Sequence, residues 1–146
     1  MMLSRIEINP YRRETMKAMN NPEIMHAAIM ASFPSFEMDS QRILWRIDTL
    51  GPSTYIIVQS QAKPDFSHMV DQFGWPESGQ KWESLDYDRF LDNLDNGQCW
   101  RFRITANPVR SVPTEGSKRG KVYAHVTVEQ QIGWLLQRCE KNGFRI

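Results

Sequence analysis

The stretch Ile43–Gln59, ILWRIDTLGPSTYIIVQ, decides the fold. Ile43 to Ile47 reads as a strand continuing to Leu50, and Thr54 to Gln59 reads as the next one. Leu50, Gly51, Pro52 and Ser53 supply the break between them. Two strands joined by so short a Gly–Pro connection are expected to pair as an antiparallel hairpin. Ile56 and Val58 fall on one face, Tyr55 and Ile57 on the other. One face therefore covers a core and the other stays partly open.

On the N-terminal side, Asn21–Ser35, NPEIMHAAIMASFPS, reads as a short helix. Asn21 suits the N-cap and Pro22 the first helical position, where a missing N–H costs nothing. Ile24, Ala27, Ala28, Met30 and Ala31 give it an apolar side, and Phe33–Pro34 ends it. Before it, Leu3–Ile8 reads as a strand with Ile6 and Ile8 on the core face, stopped by Pro10. Tyr11, Arg12, Arg13 and Lys17 lie in a basic connection between strand and helix.

On the C-terminal side, Pro64–Phe73 reads as a second helix. Asp65 is its cap, and Phe66, Met69, Val70 and Phe73 stand near helical spacing, with Gly74 as the stop. Trp75–Gly97 is acidic and aromatic, and is expected to pack as an irregular flap with one helical turn over Asp86–Leu91. Cys99–Ala106 reads as a strand, with Trp100, Phe102 and Ile104 on one face and Arg101, Arg103 and Thr105 on the other. The order β–α–β–β–α–β over residues 1–108 predicts the α+β class. Its economical form is the ferredoxin-like arrangement, a four-stranded antiparallel sheet with two helices on one face.

Beyond Pro108 the chain changes character. Residues 109–127 are expected to form a basic linker with a polar loop, Arg110–Lys121, and a brief strand, Val122–Val126. Thr127 and Gln130 make a capping pair for a helix marked by Val128, Ile132, Leu135, Leu136 and Cys139, ended at Gly143. Residues 128–146 then read as the first helix and opening of a second, similar domain that continues past Ile146.

The 146 residues carry a formal net charge of +1 and 40% hydrophobic residues, which fits a globular chain with a real core. The charge is segregated: Asp65–Asn96 is acidic, and Trp100–Lys121 is basic through Arg101, Arg103, Arg110, Lys118, Arg119 and Lys121. Cys99 and Cys139 are too few for a disulfide framework and are expected to be reduced thiols of a cytoplasmic protein. No apolar run approaches membrane length. His26, His68 and His125 lack metal-ligand spacing. No glycine-rich phosphate loop or nucleophile elbow is present, so neither a metal nor a small-molecule cofactor is expected. His26 sits early in its helix, where backbone N–H groups attract phosphate. Arg101, Arg103, Lys118, Arg119 and Lys121 suit a nucleic-acid backbone path, although alternating arginines on an open face also serve plain solvation.

Several stretches together resemble the CasE family, the CRISPR-associated endoribonucleases of the Cascade complex. They are LSRIEINP (Leu3–Pro10), NPEIMHAAI (Asn21–Ile29), ILWRI (Ile43–Ile47), YIIVQSQ followed by PDF (Tyr55–Phe66), FRITANPVR (Phe102–Arg110) and EQQIGWLLQRCEKNGF (Glu129–Phe144). The resemblance runs the length of the chain and corresponds to the N-terminal domain and the opening of the second. It implies binding of a CRISPR repeat RNA stem-loop and metal-free cutting at the base of the stem. The 2′-hydroxyl would attack the adjacent phosphate, leaving 2′,3′-cyclic phosphate and 5′-hydroxyl ends. It also implies association with other Cascade subunits.

The family histidine falls on His26, an imidazole suited to proton exchange near neutrality, as acid to the 5′-oxygen or base to the 2′-hydroxyl. Some members carry a tyrosine three residues earlier. Glu23 stands there in this chain, and Tyr11 is the candidate to replace it. Lys17, Arg12 and Arg13 are expected beside His26 to stabilise phosphoryl charge, and the basic loop from Arg110 to Lys121 to bind the stem by its backbone. The other reading is a non-catalytic RNA-binding or scaffold module of the same complex.

Overall fold

The computed structural model describes residues 1–34, 42–75, 77, 79, 82–114, 116 and 119–146. They form two compact units, Met1–Gln98 and Cys99–Ile146. The first holds β1 (Met2–Ile8), α1 (Arg13–Met19), α2 (Pro22–Met30), β2 (Leu44–Leu50), β3 (Ser53–Ser60), α3 (Ser67–Phe73), β4 (Trp82–Asp86) and a single turn, α4 (Asp88–Leu91). The second holds β5 (Val109–Val112), β6 (Lys121–Ala124) and α5 (Val128–Asn142).

The first unit is ferredoxin-like, with its four strands antiparallel in the order β2-β3-β1-β4. The hairpin forms as expected. Leu50 pairs with Ser53 around Gly51–Pro52, and Gly51 takes the positive φ of 62° that a two-residue hairpin loop asks for. Alternation then assigns the faces. Ser4, Ile6 and Ile8 of β1 and Ile56, Val58 and Ser60 of β3 are buried under the helices. Met25 and Ile29 of α2 and Met69, Val70 and Phe73 of α3 complete the core, together with Phe33 and Phe66.

Four expectations are corrected. The connection holding Arg13 and Lys17 is a helix, α1, that buries only Thr15 and Ala18. With two small residues as its inward side it has no apolar stripe to betray it. The buried side of α2 is Met25 and Ile29, flanked by Ile24 and Ala28, while Ala27 and Ala31 are exposed. The larger side chains of the helix have the most apolar area to lose from water. The fourth strand is Trp82–Asp86, from the segment read as a flap, paired with β1 from Ile6–Trp82 to Met2–Asp86. Cys99–Ala106, read as that strand, has no strand pairing, and Trp100, Phe102 and Ile104 are 59%, 53% and 54% exposed. Arg101 and Arg103 therefore do not lie on the open face of a sheet. The turn expected at Met38–Ser40 lies outside the described residues.

Tight packing joins α1 to the end of α3. The Phe73 carbonyl accepts from the Asn9 N–H at 2.8 Å and from the Thr15 hydroxyl at 3.1 Å, and the Gly74 carbonyl accepts from the Arg12 guanidinium at 3.2 Å. These contacts satisfy carbonyls that the helix end leaves without partners. A Cβ on Gly74 would stand 2.8 Å from the Val70 carbonyl oxygen and 3.2 Å from that of Glu7, both backbone atoms. Gly74→Ala is therefore expected to destabilise the first unit by roughly 1–3 kcal/mol. The check is the urea midpoint, which should fall with an unchanged slope.

In the second unit β5 and β6 pair as a two-stranded antiparallel ribbon within the segment read as linker and loop. The capping box of α5 is as expected: the Thr127 hydroxyl accepts the Gln130 N–H at 3.2 Å, and Gln130 returns to the Thr127 N–H. Gly143 ends the helix at a left-handed φ of 74°. Among the described residues no helix is long and apolar enough to cross a membrane.

Candidate functional site

His26 lies within the first turns of α2. Asn21 caps that helix by accepting the Glu23 N–H at 3.1 Å, and Pro22 opens it. Met25 and Ile29 anchor one side in the core, so His26, one position on from Met25, is turned to the surface and is exposed. Its ring has a defined partner. The indole N–H of Trp45 donates to His26 Nδ1 at 3.3 Å. Trp45 stands on β2, the edge strand of the sheet, opposite Val58 on the helix-covered side, and packs partly against the core. At this edge, where no further strand pairs with β2 among the described residues, the long indole reaches out to α2.

Sequence reading missed Trp45 as a site residue. The alternation in ILWRI places it on the core-facing side with Ile47, and its ring reads there as core. The one available signal was that an indole carries an N–H needing an acceptor when partly buried.

The other candidates are less gathered. Tyr11 is 83% exposed, and its backbone N–H donates to Asn9 Oδ1 at 2.9 Å. Arg12 is half-buried and its guanidinium donates to the Gly74 carbonyl, a contact that braces the α1–α3 junction. Arg13 and Lys17 are exposed on α1, which packs against α2. Glu23 is exposed three residues before His26. His68 is engaged elsewhere, with Nε2 3.1 Å from the Ala28 carbonyl oxygen.

The second unit gathers a different set. Arg110 on β5 is directly opposite Tyr123 on β6, so their side chains share a face, as does Lys121 two residues before Tyr123. The Lys121 ammonium lies over the Tyr123 ring, 5.6 Å from its centroid. The ribbon thus presents a cation–aromatic–cation row to solvent. Such a row suits phosphate contacts, with a ring for stacking on bases. Arg119 is exposed in the connection between the strands, Arg101 and Arg103 are exposed in the segment before the ribbon, and Lys118 lies outside the described residues.

The family model described as "CRISPR associated protein" matches residues 1–146, and the chain belongs to that family. Within it, the chain is 28% identical over 150 aligned positions to the CRISPR-associated endoribonuclease Cse3 of Thermus thermophilus. That match takes in 100% of this chain and 65% of the relative, so the chain spans less than two thirds of the relative's length. Two solved structures are similar to it at 26% identity. Thermus thermophilus Cse3 bound to an RNA representing a pre-cleavage complex superposes with a TM-score of 0.75, over 99% of this chain and 67% of that one. Cse3 bound to a 19-nucleotide RNA gives 0.73, over 99% and 68%.

Proposed function

We propose that this chain is the N-terminal part of a metal-independent endoribonuclease that processes CRISPR repeat RNA at the base of a stem-loop. Its RNA partner and its place among Cascade subunits are part of this reading. In the reaction the 2′-oxygen attacks the neighbouring phosphorus, the O2′–P bond forms and the P–O5′ bond breaks. One fragment ends in a 2′,3′-cyclic phosphate and the other in a 5′-hydroxyl, and no water is added. The single observation that carries the reading is an exposed imidazole, His26, held by a hydrogen bond on a capped helix in a chain of this family. His26 acts on the scissile phosphate. Lys17 and Arg13, exposed on α1, supply positive charge to the phosphoryl oxygens. Arg12 steadies the junction beneath them, and Tyr11 offers an exposed phenol where some members of the family carry theirs three residues before the histidine.

The stem is held by its phosphates through Arg110 and Lys121 on the ribbon, and Arg119, Lys118, Arg101 and Arg103 add positive charge from the rest of the basic segment. Reversing both ribbon charges, Arg110→Glu with Lys121→Glu, should weaken RNA binding and flatten the dependence of log K on log salt by about 2–3. A filter-binding series in salt checks it. A single-residue change away from the RNA would leave the slope intact.

A second reading, a non-catalytic RNA-binding module, draws support from Glu23, whose exposed carboxylate near His26 repels a phosphate. A denaturing gel of the cognate stem-loop incubated with the chain in excess chelator separates the two. Cleavage to cyclic-phosphate ends supports the nuclease. Binding without cleavage supports the module.

A further inference from the structure

We infer that an open cleft in the first unit, at the C-terminal end of α2, is a subsite for one unpaired nucleobase of the RNA, beside the foot of the stem. The subsite deepens the proposed function and rests on it for the identity of the RNA. The cleft measures about 800 Å³, within the range of small-ligand sites. It lies between the residues that follow α2, the start of α3 and the first residue of β4.

Its frame is fixed. The Asp65 N–H donates to the Ser32 carbonyl at 2.9 Å, and Phe66 packs edge-on against Phe33 and Trp82. Trp82 is half-buried by this packing and also lines the cleft, where its indole gives a flat wall. Lys63, Asp65, Ser67 and His68 are exposed around that wall. Asp65 Oδ1 accepts the Ser67 N–H at 2.9 Å, and His68 Nε2 lies 3.1 Å from the Ala28 carbonyl oxygen, so the rim is held in place.

This chemistry selects the occupant. The Lys63 ammonium and the Ser67 hydroxyl donate hydrogen bonds, and the Asp65 carboxylate accepts them. A bare phosphate would meet the Asp65 charge. A hydrocarbon would strip the rim of water and offer nothing in return. A nucleobase is flat, uncharged and edged with donors and acceptors, so it stacks on the wall and satisfies the rim. The placement agrees. Ala31, on the cleft, is five residues on from His26, about 7.5 Å along the helix axis. Between them the surface of α2 carries the small exposed side chain of Ala27. A strand leaving His26 along this surface reaches the cleft. Paired bases are stacked within the stem and cannot enter, so the subsite reads only unpaired flanking RNA.

A cycle of RNA and protein changes tests the inference. The readout is the affinity of the 146-residue chain for a stem-loop with 2′-deoxyribose at the scissile nucleotide. Unpaired nucleotides flank the stem on both sides, and an abasic site replaces each in turn. At one position, loss of the base should weaken binding at least about fivefold, the lower end of what one stacked base contributes. Ser67→Leu, which fills the cleft, should bind intact RNA about as weakly as wild type binds that abasic RNA. The abasic change should then cost it little more. Lys63→Ala, at an exposed position outside the frame, should also shrink the effect of the base, and serves if Ser67→Leu folds poorly. No position that matters, or an equal cost of base loss in wild type and both variants, overturns the subsite.

Trp82 gives a second readout that needs neither cleavage nor a stem. A short unpaired oligoribonucleotide should shift the Trp82 indole N–H signal in ¹H–¹⁵N spectra, and Ser67→Leu should abolish the shift. An unmoved Trp82 overturns the subsite even where the stem-loop is cut. A shifted Trp82, together with a natural stem-loop left whole in chelator, removes the nuclease reading and keeps the subsite in a non-catalytic RNA-binding module.

Discussion

If His26 exchanges a proton at the scissile phosphate as proposed, His26→Ala is expected to slow single-turnover cleavage of the stem-loop by roughly 10²- to 10⁴-fold, the usual contribution of a positioned acid or base. Little else in the first unit should change, apart from the Trp45 indole N–H, which loses its His26 acceptor and turns to water. The ring is exposed and contributes no core area, alanine is the best helix former, and the Asn21 cap with Met25 and Ile29 remains in place. The thermal midpoint should therefore hold to within the small range of surface substitutions, about 0.5 kcal/mol. RNA affinity should hold as well, because the proposed binding surface engages many phosphates. Rate, affinity and melting temperature measured on the same preparation check all three. Loss of affinity in step with rate would make His26 a binding residue. An unchanged rate would remove it from the chemistry.

Phe66→Ala is the substitution expected to cost most stability, about 3–5 kcal/mol. Phe66 is fully buried at the start of α3. Its ring meets Phe33 edge-on at 6.0 Å and Trp82 edge-on at 5.6 Å. It therefore ties the segment after α2, the start of α3 and the strand β4 together at one point. Its neighbour Asp65 donates its N–H to the Ser32 carbonyl at 2.9 Å, fixing the same junction. Truncation leaves a cavity between three elements that cannot all collapse into it. Set against a typical total of about 5–15 kcal/mol, the loss leaves the unit marginal. Urea unfolding followed by tryptophan fluorescence measures it. A shift under about 1 kcal/mol would mean that Phe33 and Trp82 close the gap.

The two predictions separate chemistry from framework, and the sequence was legible to different degrees for each. The hairpin of β2 and β3, strand β1 and helix α3 were readable because each carries at least two large apolar residues at its own period, Trp45 with Ile47, Ile56 with Val58, Ile6 with Ile8, and Met69, Val70 and Phe73. Strand β4 was hidden because its core-facing residues are Trp82 and Ser84. Ser84 meets Ser4 through their hydroxyls, so polarity on a buried face broke the pattern. Cys99–Ala106 shows the converse. Its alternation of aromatic and basic residues is regular, yet Trp82–Asp86 already fills the place beside β1. Periodicity states what a segment is able to pair as, and the chain decides what it pairs with. Helix α5 was readable to its ends because both caps are written in local residues, Thr127 with Gln130 and Gly143.

At the site, His26 was identified through resemblance and not through spacing. Its partner Trp45 stands 19 residues away, and only the placement of α2 beside the sheet edge brings the two rings together. Likewise Arg110 and Lys121 share a face through strand pairing across a connection, a register that charge counting alone does not supply.

The most direct test of the account follows the His26 ring while RNA binds. A stem-loop carrying 2′-deoxyribose at the scissile nucleotide lacks the attacking hydroxyl and stays whole. Titrated into ¹⁵N-histidine-labelled chain, it should shift the ring ¹⁵N signals of His26, with those of His68 and His125 moving less. RNA that binds while His26 stays unperturbed would contradict an imidazole acting at the phosphate.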